Sequence, residues 1–407
     1  MVNFGYTPRH SAAPAFKEPR RPRRVRESVS QDESSAQPRR PRVGRPQIAV
    51  IAGTALALLA IVTIFATRND GSGHGTCVAG KTGCAAATHR AAGASVLASL
   101  PSVREFRGHK YSFDGPSAIA SGGGIWVTNV LGDSVTRLPA TVGGAVLTLP
   151  AGRYAFDGPN ALAIGNGHVW VANVPANSVT EINESTGALI RVLPSSYGFS
   201  SPYALLLYGT RLWVADAATD SLTEINAATG HLIRTIGGGH YRFDNPYALA
   251  VADGRLWVAN SGGDSVTVLN ATSGAWVATL AFGYRLNDPT SLVAQGGNVW
   301  VANEEGDNIT EIGARTGQLE RVLPGRPYGL DNPAALVMCG GILWVANALG
   351  DSVTEINAGT GAFIRVLSGK AYRFHDPTGI AAVGNTVWVT NMSGDSVTRL
   401  RLSPAGH

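Results

Sequence analysis

The sequence predicts an all-β protein, a seven-bladed β-propeller of four-stranded antiparallel blades. Three observations predict it. Trp126, Trp170, Trp213, Trp257, Trp300, Trp344 and Trp388 recur with a step of 43 or 44 residues. A step that regular marks stacked supersecondary units. The prolines Pro116, Pro159, Pro202, Pro246, Pro289, Pro333 and Pro377 keep the same step. Finally, 50 Gly and 22 Pro in 407 residues, with only 15% charged, argue for many tight turns between short apolar strands.

The sixth unit shows how one repeat is written. An apolar strand A at 334–337 leads through Gly340-Gly341 to strand B at 343–347. A turn leads to strand C at 352–356, and an Asn-Ala-Gly-Thr-Gly turn at 357–361 leads to strand D at 362–367. Glycine suits the positive φ of such a hairpin. Strands A and B are apolar on both faces, as strands sandwiched between sheets should be. Strand C carries Ser, Thr, Glu and Asn, which places it further toward solvent. Each unit opens on a turn such as Tyr241-Arg242-Phe243-Asp244-Asn245-Pro246, where Asp caps backbone amides and Pro fixes φ at a strand start.

The last unit stops after its strand C, at 398–402, with no strand D. The missing strand stands at the front. Residues 102–106, Ser-Val-Arg-Glu-Phe, align with 363–367, Phe-Ile-Arg-Val-Leu. A strand from the N-terminal side should therefore complete the C-terminal blade and close the ring, removing its open edge.

Four segments follow, at 1–46, 47–67, 68–101 and 102–403. The first holds 11 Lys/Arg against 4 acids, while the rest of the chain holds 22 against 24, so the pI of 9.2 belongs to the tail. The repeat region gives no compositional case for binding nucleic acid. The tail, rich in Arg, Pro and Ser, reads as disordered. Residues 48–66 are 19 uncharged residues, IAVIAGTALALLAIVTIFA, close to the length that crosses a hydrocarbon core. The arginine excess before it predicts a single transmembrane signal anchor with a cytoplasmic N-terminus and an extracytoplasmic propeller. The Gly/Ala-rich stretch 68–101 reads as a stalk. In an oxidising compartment its Cys77 and Cys84 can close a small loop as a disulfide.

The strand-B and strand-C wording carries a family resemblance. Trp-Val-Thr-Asn (126–129, 388–391) and Trp-Val-Ala-Asn, then Gly-Asp-Ser-Val-Thr and an Asn-x-x-Thr-Gly turn, resemble YVTN-type and NHL-like propeller repeats. The resemblance spans about 102–402 and implies an interaction platform. A related seven-bladed group is the virginiamycin B lyases, whose strand B looks more like Trp-Phe-Thr-Glu. Here the last position is Asn or Asp throughout: Asn129, Asn173, Asp216, Asn260, Asn303, Asn347 and Asn391.

The strand order puts the D–A and B–C turns on one face of the ring, the default binding surface. Residues that break the repeat there are the candidates for ligand binding, because the blades do not require them. They are Tyr203 and Tyr247 after their prolines, Glu304 and Glu305 in a B–C turn, and Arg285 and His375 in D–A turns. His375 with Glu304 or Glu305 is the acid–base pairing a lyase would use. The recurrent Asp133, Asp264, Asp307, Asp351 and Asp395 read as local backbone caps rather than cation sites. Histidines do not recur at one blade position, so no metal ring is expected, and no cofactor motif is found. Cys339 reads as a structural thiol at an A–B turn. The expected function is an extracytoplasmic binding or scaffolding module for a protein, glycan or small ligand. A streptogramin-lyase-like enzyme and a sensor domain without its own kinase are the alternatives.

Overall fold

The computed structural model describes residues 100–139 and 144–402. The tail, the apolar segment 48–66, and Cys77 and Cys84 lie outside the described residues. No helix among the described residues is long and apolar enough to cross a membrane.

Seven four-stranded antiparallel sheets form the ring. Strand A of each blade starts at its landmark proline, as in Pro202–Tyr208 of blade 3 and Pro289–Gln295 of blade 5. The A strands neighbour one another in sequence, and Pro377–Val383 of blade 7 returns to Pro116–Gly122 of blade 1, so they form the closed inner wall. Ring closure is as the sequence predicts. Ser102–Arg107 pairs antiparallel with Ser396–Arg401 and is the outer strand of blade 7.

All seven repeat tryptophans are buried on strand B, each facing the next blade beside the small Ala or Thr two positions on. Trp344 and Ala346, for example, pack against Ile380, Val387 and Val389 of blade 7. The seven connections between blades would not hold this shape without such a filled interface, because the faces of adjacent sheets meet through side chains.

Strand C departs from expectation. It is buried in every blade, and strand D is the half-exposed outer strand. The polar residues on strand C are there because they pair internally. In blade 1, Asn129 Nδ2 donates to Ser134 Oγ and Thr136 Oγ1, both at 3.0 Å, and Thr136 donates to the carbonyl of Tyr111 at 3.0 Å. The same relay recurs in blade 6 through Asn347, Ser352, Thr354 and Tyr328. It ties strands B and C to the loop that enters the blade. Buried polar groups are tolerated when bonded in this way.

The glutamates of strand C are likewise paired. Arg191 meets Glu181 at 2.7 Å, Arg321 meets Glu311 at 2.5 Å and Arg365 meets Glu355 at 3.0 Å, each across from a repeat tryptophan. Glu224 is gripped by both Arg211 and Arg234. Burial raises the carboxyls of Glu181, Glu311 and Glu355 above the usual range even so. Cys339 is buried at the end of strand A rather than in the turn, 3.6 Å from the Gly384 carbonyl of blade 7.

Candidate functional site

The D–A and B–C turns do share one face, and a ring of identical contacts knits them together. The Asp or Asn that ends each B–C turn accepts a hydrogen bond from the backbone N–H just before the next blade's proline. The pairs are Asp133 with Gly158, Asn177 with Ser201, Asp220 with Asn245 and Asp264 with Asp288. Asp307 with Asn332, Asp351 with Asp376 and Asp395 with Gly115 complete the circle. These aspartates are backbone caps, as their sequence context suggests, but the capped amide belongs to the neighbouring blade. Acceptor and donor residues alike have positive φ, from 43° at Asp351 to 59° at Gly115. Asp, Asn and Gly tolerate that region best, which is why they recur at these positions.

Inside this ring, the residue after each proline stands where inner strands meet. Ser117 donates to Asn160 at 3.0 Å between blades 1 and 2. Tyr203 of blade 3 and Tyr247 of blade 4 stack with ring centroids 4.9 Å apart. Tyr247 is 8% exposed, and neither hydroxyl hydrogen-bonds a described residue. Burial pushes both phenols up, Tyr247 well above its ordinary value with Tyr203, Glu304 and Asp288 adding to the shift.

A hydrogen-bonded arc continues from there through blades 4, 5 and 6. Asn245 Nδ2 donates to Ser261 Oγ at 2.8 Å, and Ser261 lies beside Asp288, where it favours the charged carboxylate. The Glu304 N–H donates to the Asp288 carbonyl at 2.9 Å. Asn332 Nδ2 donates to Glu304 Oε1 at 3.0 Å. Burial raises Glu304 to about 7, and the negative charges of Asp288 and Glu305 add to it against the Asn332 bond. Burial, with Glu305 and Asp264 beside it, raises Asp288 to about 6. Among the described residues no Lys, Arg or His forms an ion pair with Asp288, Glu304 or Glu305. The four buried strand-C glutamates, in contrast, all have arginine partners.

The structure thus joins three of the sequence candidates, Tyr203, Tyr247 and Glu304, and places Glu305 beside them as an exposed charge. Arg285 and His375 are exposed, and neither makes a hydrogen bond or ion pair with a described residue. His375 lies over Gly394 of its own blade's B–C turn, two blades from Glu304. Asp288 is the member that the sequence reading missed. It precedes a proline, where Asp is an ordinary turn former. The available signal was that only blades 5 and 7 carry a carboxylate there. A separate cleft of about 690 Å³ lies between blades 5 and 6, lined by Asp307, Arg326, Asp331 and Ser352 among others. No group of His, Cys, Asp and Glu among the described residues is arranged to hold a metal ion.

No family model matches the chain, and no curated protein matches it. Solved structures do. A streptogramin B lyase superposes with a TM-score of 0.63 at 18% identity, covering 74% of this chain and 97% of that one. The fold is that of the seven-bladed propellers. A catalytically inactive virginiamycin B lyase from Staphylococcus aureus with quinupristin gives a TM-score of 0.63 at 16% identity, covering 74% and 99%. The WD40 propeller domain of Doa1 gives 0.60 at 9% identity, covering 75% and 98%. Enzymes and WD40 proteins superpose equally well, so the likeness shows architecture and leaves function to the site.

Proposed function

We propose that this protein is a binding module that holds its partner on the D–A/B–C face of the propeller. The observation that carries this reading is the stacked pair Tyr203–Tyr247 at the inner edge of that face. Large aromatic groups with free hydroxyls, set beside carboxylates that lack a cationic partner, form the kind of amphipathic surface that anchors ligands. The recurrent aspartates of the B–C turns are scaffold, since they are committed to inter-blade bonds. The partner is a protein, a glycan or a small ligand. With the apolar segment 48–66 and the arginine excess before it, we place the propeller outside the cytoplasm on a single membrane anchor, as a YVTN- or NHL-like platform or sensor.

The streptogramin-lyase reading rests on fold likeness. Glu304, raised to about 7, is an acid suited to proton transfer, but no described contact brings His375 to it.

The test is capture of envelope components by the detergent-solubilised full chain, compared with two double variants. Tyr203→Ala with Tyr247→Ala alters the proposed face, and Ser185→Ala with Thr272→Ala alters the opposite one. Loss of a captured component with the first pair alone is expected. Equal capture by all three proteins overturns the assignment of this face. Digestion of the propeller by protease added to intact cells checks its location, and full protection contradicts it.

A further inference from the structure

The acidic arc beside the two tyrosines brings together carboxylates that have no cationic partner. Every buried glutamate on strand C is neutralised by arginine, whereas Asp288 and Glu304 are met only by amide and hydroxyl groups. Like-charged carboxylates crowded at low solvent exposure disfavour one another's ionisation, and a cation relieves this. A second observation points the same way. Thr290 is 3% exposed, and its hydroxyl lies beside the Glu304 carboxylate and favours its charged form. Its Oγ1 is left without a partner. Buried polar atoms are rarely left so, and a ligand is one of the things that completes them.

We propose that Glu304, Asp288, Thr290, Tyr203 and Tyr247 form a receptor for a protonated primary amine. This rests on the reading of the face as a binding surface and names the chemistry it binds. An ammonium group carries three N–H donors and no acceptor, which matches the two carboxylates and the Thr290 oxygen. The attached methylenes lie against the tyrosines, whose ring faces also favour a cation. Aromatic surface adds nothing for a hydrated metal ion, and among the described residues no group of three or more His, Cys, Asp or Glu is arranged to hold one. Arg285, exposed in the D–A turn of the same blade, makes no bond to these acids, so the charge is not already met from within the chain. The amine can be a lysine side chain or a free alkylamine, since both present the same group.

Calorimetric titration of the full chain with n-butylammonium, Nα-acetyl-lysine amide and neutral 1-butanol tests this. Saturable binding of both ammonium probes and not of 1-butanol is expected. Glu304→Gln, which keeps an acceptor for Asn332, weakens both by about tenfold, and Tyr203→Ala by about fivefold. Glu320→Gln, which removes a charge from the outer strand of the same blade, leaves them unchanged. Tighter binding of the lysine derivative assigns a peptide source, and equal binding assigns a free amine. No binding, equal binding of 1-butanol, or an unaltered affinity in folded Glu304→Gln and Tyr203→Ala overturns the proposal. If that happens while envelope capture still depends on Tyr203 and Tyr247, only the amine chemistry falls and the binding face stands.

Discussion

The Asp395 carboxylate accepts a hydrogen bond from the Gly115 backbone N–H at 2.9 Å, joining residues 280 positions apart. It is the same bond that Asp133 makes to Gly158 only 25 positions on. One repeated contact therefore serves both as a link between consecutive blades and as the closure of the ring. Asp395→Ala loses the acceptor and places alanine at a φ of 45°. We expect a loss of about 1–2 kcal/mol in urea unfolding. Asp395→Asn should stay within about 0.5 kcal/mol, because Asn177 already fills this role in blade 2 and asparagine tolerates positive φ.

Closure also depends on packing. Phe106, 8% exposed on the N-terminal strand, sits with its ring centroid 5.2 Å from that of Trp388. Phe106→Ala should cost about 3–4 kcal/mol and should speed unfolding, since it loosens the strand that joins the two ends of the ring. An unfolding midpoint unchanged from wild type would contradict this.

Asp216 stands where the other six blades have asparagine. It reverses the local bond, with Thr223 donating to its Oδ2 at 2.7 Å, and burial raises it to about 7. The folded state thus holds this proton more tightly than the unfolded chain, whose carboxyl has its ordinary value near 4. Stability from this group is full below about pH 4 and is lost as pH rises toward 7. Asp216→Asn should flatten that slope, leaving the part due to Asp288 and Glu304. It should raise stability at pH 8 by about 1–3 kcal/mol. Urea midpoints at pH 5 and pH 8 for both proteins measure it.

Binding at the tyrosine-lined arc should carry its own pH signature. Glu304, at about 7, and Asp288, at about 6, must be ionised to hold a cation. Glu305, Asp264 and Tyr247 also face them and none supplies positive charge. Ammonium affinity should therefore rise between pH 5.5 and 8, by about tenfold or more, while alkylamines stay protonated throughout. In Glu304→Gln the rise should shrink and shift toward pH 6, leaving the Asp288 limb. A flat profile in the wild-type protein would count against both groups as ligands.

The fold was legible because its signal is periodic. Tryptophan and proline steps report blade number, and the 102–106 match to 363–367 reports closure. Strand C is polar in sequence yet buried in the fold, so polarity alone misleads about its exposure. Thr354 and Glu355 are buried, satisfied by Asn347 and Arg365 on the flanking strands, and that pairing exists only across strands. The site was legible where residues broke the pattern, at Tyr203, Tyr247 and Glu304. Asp288 conforms to a turn motif, and nothing local separates a turn-forming carboxylate from one pressed against Glu304. The inter-blade reach of Asp133 and its counterparts was hidden for the same reason: a cap looks alike whether its amide is near or a blade away.

The strand Ser102–Arg107 has a mechanical consequence. It is the outermost strand of blade 7, and the chain that precedes it enters the propeller through it. Tension on those first hundred residues is therefore borne by a six-residue ladder to Ser396–Arg401 before it reaches any other blade. Peeling that ladder removes a strand contributed by one end of the ring to the other. The lead-in to the propeller and the latch that closes it are thus the same piece of chain, and a pull on the first is a load on the second.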